Sequence, residues 1–200
     1  MFSAGRWLRS ALPGALLVLG AGRAAAQAGV VSTAKVITLA AIKQTKLSLA
    51  VTSGAIQSLP ALLDNQVNNF ATPVMLQTQW DLNPGQTGNV TVVGWFGTPA
   101  QALVSPGPPL TAIASSRMQG KVTPGAAAAS WPATFTAFTQ NATAGLGSAG
   151  GSLLLLRVNV TGANKTTTRT DQLDLQLDLT GVSLPVGTYS GTLNIQAVTQ

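Results

Sequence analysis

Residues 173–180 alternate strictly between leucine and a polar side chain, with Leu173, Leu175, Leu177 and Leu179 in every second position. Successive side chains of a β-strand point to opposite faces, so this spacing places all four leucines on one face. An α-helix has 3.6 residues per turn and would distribute the same leucines around its circumference. The segment therefore predicts a strand with one apolar face, and the fold must provide a sheet that buries that face.

Other parts of the chain have strand character, and turn-forming residues separate them. The strongest segments are 46–52, 74–82, 89–96, 133–139, 152–160 and 188–198, and weaker ones are 35–42, 102–105 and 111–122. One stretch, 54–69, favours a helical turn that Pro60 would limit. Many short alternating strands predict an all-β fold: an antiparallel two-sheet immunoglobulin-like sandwich with Greek-key or meander connections.

Short, turn-rich links predict that neighbouring strands pair with each other. Asn83-Pro84-Gly85 would close a hairpin between the segments 74–82 and 89–96. The last three strands of the chain are also joined by short links rich in glycine, and we expect them to form a meander.

The first 26 residues have the features of a bacterial export signal. Arg6 and Arg9 give a positive start, residues 11–21 form an apolar core, and residues 24–26 offer three alanines to the signal peptidase. The apolar core has about 11 residues, fewer than the roughly 20 that span a bilayer. We therefore expect no membrane span after cleavage.

Removal of the signal defines the domain organisation and the location that we predict. Cleavage after Ala26 or Ala28 leaves a single β-sandwich domain within residues 27–200. The mature protein would then be exported to the periplasm, the cell surface or the extracellular space.

The composition removes most of the side chains that catalysis and metal binding use. The 200 residues include no cysteine, no histidine and no glutamate. The common general bases, thiolate nucleophiles, imidazole or thiolate metal ligands and disulfides are therefore absent. We predict a protein that is not an enzyme and that takes no metal or other cofactor.

Charge argues against a nucleic-acid partner. Once Arg6, Arg9 and Arg23 leave with the signal, eight basic residues remain against five acidic ones, a net charge of +3. These basic residues are scattered along the chain, whereas a nucleic-acid-binding surface needs them clustered in a patch or stripe. We therefore expect no nucleic-acid binding.

The end of the chain carries a resemblance to known families. Residues 184–195, LPVGTYSGTLNI, resemble the closing strand of bacterial immunoglobulin-like surface modules, and the pattern P-x-G-x-Y-x-G-x-L-x-I resembles that of spore-coat and pilin-type subunits. The preceding run 169–173, RTDQL, is similar to that of uncharacterised exported proteins. The resemblance implies a β-sandwich that serves as a structural or assembly subunit of the cell surface or extracellular matrix.

The pilin-type resemblance also implies assembly by strand donation, in which an N-terminal segment of one subunit completes the sheet of the next. The candidate donor is 29–42, within the region 27–43 that follows the signal. The apolar side chains that we assign to the assembly strand are Val30, Val36, Ile37, Leu39 and Ile42. Neither alternating row is uniformly apolar, because Ser32 and Thr38 interrupt one row and Lys35 the other. An ordinary first strand of the chain's own sandwich is the alternative.

Two tryptophans whose burial the sequence leaves open offer a different function. Trp80 belongs to an apolar strand face, whereas Trp95 lies near the end of a strand and Trp131 lies in a proline-containing connection. Exposed aromatic rings stack on sugar rings, and buried ones pack beneath loops. The alternative to a structural subunit is thus a secreted module that binds a surface glycan or protein through Trp95 and Trp131.

Overall fold

The computed structural model describes residues 46–59, 61–83 and 87–200. The chain divides into two compact units, 1–44 and 45–200, and the described residues belong to the second. The predicted signal peptide, its cleavage sites and the region 27–43 with its candidate donor residues lie outside the described residues.

The described residues form eleven strands and three short 3-10 helices, with no α-helix among them. The strands are β1 (Lys46–Ser53), β2 (Val67–Asn69), β3 (Val74–Asp81), β4 (Gly88–Phe96), β5 (Leu103–Ser105), β6 (Thr111–Ile113), β7 (Met118–Thr123), β8 (Thr136–Ala137), β9 (Ser152–Val160), β10 (Thr166–Asp178) and β11 (Leu193–Thr199). The 3-10 helices are Pro99–Gln101, Ser115–Arg117 and Gly162–Asn164.

The strands form two main sheets and one small hairpin, and every pairing is antiparallel. The larger sheet has the order β1-β3-β10-β7-β8, with β2 beside the C-terminal part of β10. The smaller sheet has the order β11-β4-β9, and β5 pairs with β6. The predicted all-β, antiparallel fold class is confirmed.

Both sheets contribute side chains to one apolar core. The four leucines of the alternating segment are buried, as their spacing predicts, and so is Trp80 of β3. A Cβ atom built on Gly120 of β7 would lie 3.1 Å from Leu153 of β9 and 3.2 Å from Leu173 of β10. Side chains of the larger and smaller sheets therefore meet over this glycine.

Strand positions are predicted with uneven accuracy. The segment of longest alternation, 173–180, overlaps β10, but β10 begins at Thr166 and ends at Asp178. The strands β1, β3, β4 and β9 agree with the predicted segments to within a residue at each end. The segment 133–139 contains only the short β8, the last strand begins at Leu193 rather than at 188, and 111–122 is divided into β6, a 3-10 helix and β7. The helical turn predicted within 54–69 is wrong for the described residues, because that stretch is irregular until β2.

The predicted pairing of neighbouring strands is wrong. β3 lies between β1 and β10 in the larger sheet and β4 lies between β11 and β9 in the smaller one, so they form no hairpin. The last three strands also alternate between the sheets and form no meander. The physical reason is that a short link can cross the roughly 10 Å between facing sheets as easily as it can close a hairpin.

A buried ion pair holds the connection that follows β7. The Arg169 Nη2 and Asp171 Oδ1 atoms are 2.6 Å apart, and both side chains are almost fully buried, at 2% and 3% exposed. Arg169 also donates hydrogen bonds to the carbonyls of Ala126 and Ala127, and Asp171 accepts one from the Gly125 amide. This pair therefore ties residues 125–127 to the middle of β10.

Candidate functional site

A groove runs between the edge strands β1 and β11, one from each sheet. At its narrow end it has a volume of about 290 Å³ and is lined by Leu47, Ser48 and Leu49 of β1 and by residues 195–197 of β11. The side chains of Leu47, Leu49, Ile195 and Ala197 are half-buried and pack against the core. The narrow end is thus a channel of mixed polarity between two strands that belong to different sheets, with Ser48 and Gln196 beside the half-buried apolar side chains.

The groove widens beyond β1 into a cavity of about 1050 Å³. Its sides come from residues 54–64 and 184–193, and its floor consists of core side chains. The floor residues are Val74, Phe96, Met118 and Leu175. Ile195 lines both the wide and the narrow parts, so the two volumes adjoin at β11, and the wide one reaches the hydrophobic core.

The outer edge of β11 carries backbone groups that β4 does not use. Gln200 and Asn89 exchange two backbone hydrogen bonds, of 2.9 and 2.8 Å. In an antiparallel pair such residues alternate with non-bonded ones, so β11 uses every second residue from Asn194 to Gln200 to bond β4. The N–H and C=O groups of Ile195, Ala197 and Thr199 therefore point to the open edge, and in the described part of the chain no further strand pairs with that edge.

Residues 185–191, which precede β11, are held in place by hydrogen bonds and by one close backbone contact. The Tyr189 hydroxyl donates a 3.0 Å hydrogen bond to the Pro185 carbonyl, which folds the segment back on itself. Ser190 exchanges two backbone hydrogen bonds with Val104 of β5. A Cβ atom on Gly191 would collide with the Ala102 carbonyl oxygen, so only glycine allows this close approach.

Asp64 joins the two segments that form the sides of the wide end. Its carboxylate accepts hydrogen bonds from the Ser183 hydroxyl, at 2.6 Å, and from the Leu184 amide, at 3.1 Å. The adjacent Asn65 amide donates to the Val182 carbonyl. The hydrogen bond from Ser183, followed by that from Leu184, holds the pKa of the Asp64 carboxyl below its usual value, so this side chain is ionised at neutral pH.

The two predicted ligand-stacking residues lie at separate places. Trp95 lies on β4 opposite Ser152 and is half-buried, whereas Trp131 is 37% exposed and follows Ser130, which bridges to Arg157 of β9. Ser152 and Arg157 are five residues apart on β9, a distance of roughly 16 Å at 3.3 Å per residue. The structure thus does not bring the two rings together on one small sugar.

The groove is not predicted from the sequence, although residues 29–42 are identified there as a candidate donor strand. Four residues that line the narrow end of the groove lie in predicted strands: Leu47, Leu49, Ile195 and Ala197. The sequence around them gives only one weak indication that these strands lie at sheet edges. The one available signal is that the apolar rows of 46–52 and 193–199 are weaker than those of the central strands. Such weakness is typical of strands with incomplete burial.

The described residues offer few groups for other chemistry. Among them, no cluster of three or more carboxylate side chains could hold a metal ion. No helix in the part of the chain that the structure describes is long and apolar enough to cross a membrane.

Comparisons with known proteins assign no family. No family model matches the sequence, and no curated protein does. One similar solved structure is the CupB6 tip adhesin from Pseudomonas aeruginosa, at 17% sequence identity and a TM-score of 0.37 over 77% of this chain. The match spans 42% of the adhesin, so this chain corresponds to less than half of that protein.

Proposed function

We propose that this chain is an exported, non-enzymatic subunit of the bacterial cell surface or extracellular matrix, which assembles by accepting a β-strand from another copy. The observation that carries the proposal is the groove between β1 and β11. It combines a strand edge with which no described strand pairs and a channel that adjoins a cavity floored by core side chains. A strand bound there would pair its backbone with β11 and insert alternate side chains towards the core.

The strand order supports this proposal. An immunoglobulin constant-type domain has sheets A-B-E-D and C-F-G. The order β1-β3-β10-β7 corresponds to A-B-E-D, and the β4–β11 pair corresponds to C–F, with β9 added on the other side of β4. The hydrogen bond from Tyr189 to Pro185 corresponds to the tyrosine corner that precedes strand F in such domains. The open edge of β11 is then the position of strand G.

The candidate donor is the segment 29–42, because it has strand character and lies in the same chain. Burying four apolar side chains of a donor would contribute about 6–12 kcal/mol before the cost of ordering the strand. Its backbone would also bond the groups of Ile195, Ala197 and Thr199 with which no described strand pairs. Both alternating rows of the donor include large apolar residues, Val36 in one row and Ile37 in the other.

The test compares the mature chain with a donor-charged variant, in which Val36→Asp and Ile37→Asp place a charge in each alternating row. We expect the unmodified chain to form oligomers or filaments, visible by light scattering and electron microscopy. We expect the donor-charged variant to remain a folded monomer that binds a synthetic peptide of residues 29–42. A peptide with the same two aspartates should not bind.

The opposite result would identify the segment as the first strand of its own subunit. In that case the unmodified chain stays monomeric at high concentration. The donor-charged variant then unfolds, and the peptide does not restore its circular dichroism spectrum.

A second candidate function is glycan or protein binding, which the exposure of Trp131 favours. If the ring stacks on a sugar, addition of a suitable glycan should shift the tryptophan fluorescence, and Trp131→Ala should abolish the shift. Trp95→Ala should reduce it less, because Trp95 is half-buried on β4. No response across a broad glycan panel would contradict glycan binding.

A further inference from the structure

We infer that the described residues within 55–62, here called the plug segment, cover core surface at the wide end of the groove until a donor strand displaces them. This inference rests on the proposed function and adds a form of regulation to it. All residues within 55–62 except residue 60 are described. They connect the end of β1 to the region before β2 and form one side of the wide cavity.

Two leucines of the plug segment cover core surface at the wide end of the groove. Leu59 and Leu62 are half-buried, pack against the core and line the wide end of the groove. Ile56 belongs to the same segment but is 90% exposed. Leu59 and Leu62 thus cover core surface that donor side chains would otherwise cover. Ile56, the other large aliphatic side chain of the segment, is exposed and does not contact this surface.

The residues that flank the plug segment, Gly54 and Leu63, make close contacts or hydrogen bonds with other parts of the fold, whereas the described backbone between them does not. Gly54 has a φ of +72°, and a Cβ atom there would collide with the Pro73 carbonyl oxygen. At the other end the Asn68 side chain accepts a hydrogen bond from the Leu63 amide and donates one to the Leu63 carbonyl. Between these anchors, among the described residues, no backbone–backbone hydrogen bond is formed.

This arrangement favours displacement over unfolding. A segment without backbone pairing can move away at the cost of its two apolar contacts, while both anchors and both sheets stay intact. Since the plug segment and the donor compete for one surface, the apparent affinity for the donor is the intrinsic affinity reduced by the fraction of open grooves. A newly exported subunit would thereby keep its core covered until it meets a donor.

The test uses thiol labelling, because the chain has no cysteine of its own. Leu62→Cys is introduced into the full-length donor-charged variant, and the rate of reaction with a maleimide is measured with and without saturating peptide 29–42. We expect the peptide to raise the labelling rate at least tenfold, because it expels residue 62 from the groove. Ile56→Cys is the matched control and should label at the same rate in both conditions.

Two results would overturn the inference while the proposed function stands. If the peptide binds, as measured by the anisotropy of a fluorescent label on it, but labelling of residue 62 is slowed, the segment is a wall that the strand buries. If the peptide binds and the labelling rate is unchanged, the segment does not move. Failure of the peptide to bind the folded variant would overturn both the proposed function and this inference.

Discussion

Asp171→Asn is expected to lower the free energy of unfolding by about 3–5 kcal/mol, the usual cost of breaking a buried ion pair by removing one partner. The substitution leaves the Arg169 guanidinium buried without a negative charge beside it, because the amide oxygen of asparagine and the carbonyls of Ala126 and Ala127 accept hydrogen bonds but carry no charge. Urea unfolding followed by tryptophan fluorescence measures the loss, because Trp80 is buried and its indole donates to the Asn164 carbonyl.

The matched control is a second Asp–cation pair, whose aspartate also lies on β10 and whose lysine lies on β7. Asp174 lies 3.7 Å from Lys121, but these side chains are 25% and 37% exposed, so Asp174→Asn should cost less than about 1 kcal/mol. Replacing both buried partners, with Arg169→Met and Asp171→Leu, should recover a large part of the loss. Equal effects of Asp171→Asn and Asp174→Asn would show that burial of the ion pair does not govern stability here.

Ala197→Pro is expected to abolish assembly while the subunit stays folded. The Ala197 amide points to the open edge of β11, so proline removes a donor that no described strand uses. A strand that pairs with this edge, however, would lose the hydrogen bond from the residue 197 amide and would clash with the proline ring. We expect the affinity for peptide 29–42 to fall at least tenfold, measured by anisotropy on the proline variant in the donor-charged background.

The adjacent residue is the control for this proline. Val198 belongs to the alternate set that bonds β4, so Val198→Pro should destabilise the subunit itself and lower its melting temperature. If Ala197→Pro binds the peptide as tightly as the parent variant does, no strand pairs with the open edge of β11.

The sequence predicts the strands of this fold better than their partners. Leu173 to Leu179 alternate because one face of β10 is buried, and that local pattern is sufficient to identify a strand. The partners of a strand depend on distant residues: β4 pairs with β11 through Asn194 opposite Trp95, almost a hundred positions away. The short link after β3 therefore predicts a hairpin. In the structure β3 and β4 instead lie in different sheets, and each buries apolar side chains in the shared core.

The same limit applies to the candidate site. The donor segment is visible because its strand character and its place after the signal are local features of the sequence. The groove is formed by β1 and β11, which begin and end the described domain, and by residues 54–64 and 184–193 between other strands. An open edge is a property of the sheet, so the weak apolar row of residues 193–199 is the one local sign of it.

The amide hydrogen exchange of β11 tests the central claim most directly. In the donor-charged variant the amides of Ile195, Ala197 and Thr199 should exchange rapidly, and those of Gln196 and Val198, which bond β4, should be protected. Peptide 29–42 should protect the first three amides and leave the other two as they were. Rapid exchange of Ile195, Ala197 and Thr199 in the presence of bound peptide would contradict strand donation into this groove.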